Sequence, residues 1–171
     1  DGVCEEHTPG CLDYVRANES KVRETLAAHQ PRLHAALAMA QFDGLRYGMA
    51  PSLTLEFPRF NGINRLARTH FAQAFVAGRP GDAIDGLCRN IAGWRRLGGN
   101  SDYLIASMVG ASAVRQDLLL LADMLVALPA GEPLPVSCTE ALAATRDEEL
   151  SLCAAMRTEF GFMKDVPVQM G

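Results

Sequence analysis

The sequence predicts an all-α fold, an irregular bundle of five to seven helices, and three observations predict it. Alternating runs of β-branched residues are absent, alanine and leucine recur at three- and four-residue spacing, and glycine and proline punctuate the chain at helix-length intervals. The chain has 171 residues, 49% hydrophobic and 21% charged, which suits a single domain over 1–171 with a core of its own and argues against disorder. Its formal net charge of -4 argues against nucleic acid or an anionic membrane as the main partner, since both require concentrated positive charge.

A short helix follows Cys11 and ends near Asn18, closing an N-terminal segment over 1–18. A longer helix covers roughly 19–42, with Val22, Leu26, Leu33, Leu37 and Met39 on its apolar side. Pro31 kinks or breaks it, because the ring removes a donor and clashes with the preceding turn. Asp43-Gly44 stops it, and Gly48 to Pro58 is an irregular connector laid over the bundle. The next helix runs from Asn61 to Ala77 with Gly78 as its stop, and Arg79-Pro80-Gly81 turns the chain. Asp82 then caps a helix through Leu97 that Gly98-Gly99 ends.

Asn100 or Ser101 caps a long helix that runs to Leu128 and is closed by Pro129, completing a core of hairpin plus long helix over 61–128. Tyr103 to Leu128 is the most apolar stretch, but Arg115, Asp117 and Asp123 make it a poor transmembrane span, and it reads as a buried core helix. Within it Ala106, Gly110 and Ala113 form a small-residue stripe, which serves either core packing or a homodimer seam. A link through Pro129, Pro133 and Pro135 leads to a C-terminal helical pair over 137–160 and a loose tail after Phe162.

Five cysteines, at 4, 11, 88, 138 and 153, are many for a cytosolic chain of this size. Cys4 and Cys11 flank Thr8-Pro9-Gly10, a turn that folds the segment back on itself. Cys138 and Cys153 would lie about 22 Å apart on one continuous helix. Two capping boxes, Ser-Cys-Thr-Glu at 137–140 and Thr-Arg-Asp-Glu at 145–148, mark separate helix starts instead. A reversal near Thr145 then lets Cys138 face Cys153. The expected bridges are Cys4–Cys11 and Cys138–Cys153 with Cys88 unpaired, placing the domain in an oxidising space. The alternative is that all five are reduced core residues.

Motifs for chemistry are scarce. His29 and His34, five apart, diverge on a helix and cannot share a metal; His7 lies by the N-terminal loop and His70 stands alone beside Arg68. No metal-binding, phosphate-loop or nucleophile-elbow pattern occurs, so neither a catalytic residue, a metal nor a cofactor is expected. Asp147-Glu148-Glu149 opens a helix, where negative charge suits the positive end of the dipole. One constellation carries a binding hypothesis. Arg95 and Arg96 precede the helix start at Asn100 and Ser101, where guanidinium groups and free backbone donors would bind an anion such as a carboxylate. The plainer reading buries Trp94 and pairs the arginines with Asp102, Asp85 or a terminal acid.

Two resemblances add to this. Around Ala67, Phe71, Ala74, Phe75, Gly78 and Ala83, small and bulky residues alternate about a short turn, which resembles a single tetratricopeptide-type hairpin and no regular solenoid. The run Cys88-Arg89-Asn90-Ile91-Ala92-Gly93-Trp94-Arg95-Arg96-Leu97, with Asn100-Ser101-Asp102-Tyr103-Leu104-Ile105 and Met108, resembles an uncharacterised family of helical bacterial (proteobacterial) cell-envelope proteins. Gly10-Cys11-Leu12 and the run from Glu149 to Arg157 fit the same resemblance. It implies a helical, periplasmic or exported protein, attached to the membrane only through an N-terminal anchor absent here, and it implies no activity. The expectation is a non-enzymatic protein-binding or scaffolding module. The competing class is a small-ligand binder or enzyme whose site joins Arg95, Arg96 and His70. An exposed apolar groove or a two-fold interface would favour the first, and an enclosed pocket lined by those three the second.

Overall fold

The computed structural model describes residues 2–5, 10–46 and 61–169. These form helices α1 (Cys11–Ala17), α2 (Glu19–Ala28), α3 (Gln30–Met39), α4 (Asn61–Val76), α5 (Pro80–Gly99), α6 (Leu104–Ala127), α7 (Ser137–Ala141), α8 (Asp147–Leu150) and α9 (Cys153–Gln169). The all-α class is thus as expected, with more segments among the described residues than the five to seven anticipated. The connector at 48–58, His7 and the Thr8-Pro9 part of the N-terminal turn lie outside the described residues.

The breaks follow from local chemistry. The 19–42 stretch divides at His29, and Pro31 falls in the first turn of α3, where its missing N–H leaves no hydrogen bond unmade. Gly78, at φ 79°, ends α4 in the left-handed region. The Gly78 N–H donates to the Phe75 carbonyl and the Arg79 N–H to the Ala74 carbonyl, a double closure that satisfies the last carbonyls of the helix. The three-residue corner lays α4 and α5 antiparallel and in contact.

Several caps differ from expectation. Asp82 lies in the first turn of α5, whose N-cap is Arg79. The long helix begins at Leu104 with extended Tyr103 as N-cap, and Ser101 acts one step earlier, its hydroxyl accepting the Tyr103 N–H. Ser137 is the first residue of α7, its hydroxyl donating to Asp85 at 2.8 Å, and Arg146 rather than Thr145 precedes α8. The expected loose tail is helical, since α9 continues to Gln169.

Helix α5 is the hub, touching α3, α4, α6, α7 and α8. Ile84, Leu87, Cys88, Ile91, Trp94 and Leu97 are all buried. Close approach is possible because glycine sits at the crossings. A Cβ on Gly110 would lie 2.9 Å from the Cα of Gly98, too close without displacing α5 or α6. The stripe Ala106, Gly110 and Ala113 is buried inside the chain, with Gly110 against α5.

The expected Cys4–Cys11 bridge is present. The second bridge is Cys88–Cys138, not Cys138–Cys153, and Cys153 is an exposed free thiol. α7 and α8 are separate helices, and both touch α5. What decides the pairing is packing: the proline-rich link returns α7 onto α5, burying Cys138 against the hub, whereas Cys153 opens α9, whose contacts are with α6. The sulfurs at 138 and 153 therefore face different regions.

Candidate functional site

Polar residues meet in two places. The first is sealed between α4, α5 and α6. The Asp117 carboxylate accepts from Asn64 Nδ2 at 3.1 Å and from Asn90 Nδ2 at 2.7 Å, and Asn90 also donates to Asn64 Oδ1. All three are buried, as is Arg68, whose guanidinium donates to Gln116 and to the carbonyls of Cys4 and Glu5. Burial pushes the Asp117 carboxyl up to about 7, against the opposing pull of Asn90, Asn64 and Arg68. The same face of α4 holds the N-terminal bridge. Arg65 Nε donates to the Cys4 carbonyl at 3.1 Å, and the Cys4 N–H donates to Thr69 Oγ1 at 2.9 Å. This cluster locks three helices and the first disulfide loop together. Its members lie on the apolar side of their helices, with Asn90 between Leu87 and Trp94, and Asp117 between Ala113 and Leu120. That interruption of an apolar stripe is the sequence signal that was available for them.

The second place is an open groove of about 710 Å³. Gly98, Gly110, Ala111, Val114 and Leu118 form one wall, and Leu142, Leu150 and Leu152 from the C-terminal segments form the other. Glycine shapes both the groove and its closure, since a Cβ on Gly99 would come within 3.0 Å of Glu149 Cα. Trp94 lines it too, buried, with an indole N–H that has no acceptor among the described residues.

Arg95 holds the second wall in place. Its guanidinium pairs with Glu149 at 2.9 Å and donates to the carbonyls of Glu140, Ala141, Ala143 and Ala144. Only 13% and 14% of the Arg95 and Glu149 side chains are exposed. Burial would raise the Glu149 carboxyl, but hydrogen bonds from Arg146 and Arg95 outweigh it and hold it below its ordinary value. Every group of the anticipated anion cradle is engaged by the chain itself. Arg96 pairs with Glu140 at 2.7 Å and donates to the Ala40 carbonyl. Asn100 donates to the Asp43 carbonyl and accepts from Arg46, while Ser101 is buried against Tyr103. His70 lies on α4, half-buried beside Phe71, its imidazole held below its ordinary value by burial and by Arg79. The groove that Arg95 lines does not include it.

Among the described residues no group of three His, Cys, Asp or Glu side chains is arranged to hold a metal. Comparison with protein-family models, curated proteins and solved structures gives no match.

Proposed function

We propose that the chain is a non-enzymatic protein-binding module of the bacterial cell envelope, and that it takes an apolar peptide or helix of a partner protein in the groove between α5–α6 and the α7–α9 segments. The observation that carries this is the groove itself: open to solvent and walled mainly by aliphatic side chains, with Arg95 and Glu149 neutralising one another on its rim and Arg115 the one lining charge outside an ion pair among the described residues. Such a surface favours apolar side chains over a charged metabolite. The α4–α5 pair supports a tetratricopeptide-like character, because the two helices are joined by a three-residue corner and in contact, and Ala67, Ala74 and Ala83 on them are buried. Two disulfides support an oxidising, exported location.

The test is a photo-crosslinking residue placed at Leu142 or Leu150 in the chain expressed in its native envelope. Adducts to a discrete protein at those two positions, and none at Phe42 on the surface beyond α3, are expected. Absence of any protein adduct, together with a specific thermal shift from a small metabolite, would remove the reading.

A further inference from the structure

The outer face of α6 is apolar and open. Met108, Leu119 and Val126 are 63%, 43% and 89% exposed, and Ala111, Arg115 and Ala122 lie between them at three- and four-residue spacing. This stripe is distinct from the buried face that meets α5, and it is wider than one isolated surface residue would make it.

Two charges sit on it. Arg115 and Asp123 are exposed, and neither forms an ion pair among the described residues. Arg16, which shares a surface depression with Asp123, pairs with Asp13 instead. The two unpaired charges are opposite in sign, and Leu119 lies midway between them, four residues from each.

That spacing is self-complementary in one orientation only. Eight residues of helix put the charges about 12 Å apart along the axis. If two copies met through this stripe in parallel, Arg115 would face Arg115 and Asp123 would face Asp123. Turned antiparallel about a two-fold axis at Leu119, Arg115 of each copy comes level with Asp123 of the other, and the leucines meet at the centre. A two-fold contact uses the same patch on both copies, so one pair of residues makes two ion pairs. We infer that α6 is the self-association surface of this protein, and that a second copy covers its outer face antiparallel, centred on Leu119. Ala111, Arg115 and Leu119 also line the groove between α6 and the C-terminal segments, so a second copy takes the α6 wall of that groove and competes there with the proposed peptide.

Sedimentation of the oxidised chain over a wide concentration range tests it. A monomer–dimer equilibrium is expected. Arg115→Asp weakens it by about tenfold or more, Asp123→Arg does the same, and the double variant R115D/D123R recovers most of the loss because the charges again oppose. Cysteine scanning in a Cys153→Ser background fixes the orientation. Leu119→Cys crosslinks to itself on mild oxidation, whereas Val126→Cys does not, its two copies standing about 21 Å apart along the axis. A chain that stays monomeric, a dimer indifferent to R115D, or self-crosslinking at 126 would each overturn the assignment. So would a monomer that floats with lipid vesicles through this face, which would give the stripe to lipid. Because the stripe shares Ala111, Arg115 and Leu119 with the groove, adducts from Leu142 or Leu150 to a second copy would support this assignment, and adducts there to a different protein with the chain monomeric would overturn it.

Discussion

Helices α5 and α6 pack against each other and are opposite in how burial relates to composition. α5 carries Asp82, Asp85, Arg89, Arg95 and Arg96 among its apolar residues, yet it is enclosed by five other helices. α6 is apolar almost throughout and is long and apolar enough to cross a membrane, yet only 39% of its apolar window is buried, and its outer face is open. Position among neighbours sets burial, and hydropathy records only what a surface would tolerate losing to water. An apolar face left open on the outer helix is therefore the informative one.

The largest test of this contrast is the bridge that ties the hub to the C-terminal segments. Cys88–Cys138 closes a 50-residue separation and Cys4–Cys11 closes one of 7. On chain entropy these stabilise by about 4 and about 2.5 kcal/mol. Replacing the first pair by serine should lower the urea midpoint more than replacing the second, and Cys153→Ser should leave it unchanged. Equal effects for the two bridges would mean that loop length does not set their contributions. Next in size is Arg95→Ala, which removes the pairing with Glu149 and four carbonyl contacts at a cost of about 2 kcal/mol. Hydrogen exchange should then rise across 140–152 while the amides of α4 and α5 stay protected.

The helical class, the break at Pro31 and the Gly78 corner were legible because each is a local rule written in a few adjacent residues. The second disulfide was not. Cys138 lies closer in sequence to Cys153 than to Cys88, and only the return of α7 onto α5, a long-range packing event, reverses that preference. Arg95 and Arg96 were legible as functional-looking, but the acids that engage them, Glu149 and Glu140, lie some fifty residues away on helices with no obvious register to α5. Asn64, Asn90 and Asp117 show how far local pattern reaches. Each marks an apolar stripe as interrupted, and none says which partner fills the gap.

That buried cluster gives a smaller, pH-dependent test of the inner face of α6. Burial raises the Asp117 carboxyl from about 3.8 in the unfolded chain to about 7 in the folded one. The folded state then holds its proton more tightly, so this group's contribution is complete below the unfolded value and is lost as pH rises through 7. His70 acts in the other sense. Its lowered value favours the neutral ring, so its contribution is present above 6.5 and is lost on acidification. Urea midpoints should therefore fall as pH rises from about 4 to about 7, with His70 opposing the fall below 6.5, and level off above 7, and Asp117→Asn should flatten that decline. An unchanged slope in the variant would assign the dependence to other groups.

The smallest effect expected is on the outer face of the same helix. Val126 is 89% exposed, so Val126→Gln removes little that folding had hidden, and unfolding free energy should change by no more than about 0.5 kcal/mol. The same substitution puts an amide into the stripe on which a second copy is placed, so it should weaken self-association while leaving the monomer's stability intact. Measured together by denaturation at low concentration and by sedimentation at high concentration, those two readouts separate an apolar residue kept for the fold from one kept for a partner. A large loss of stability in the dilute monomer would mean that Val126 serves the core, and the contrast between α5 and α6 would then narrow to one of degree.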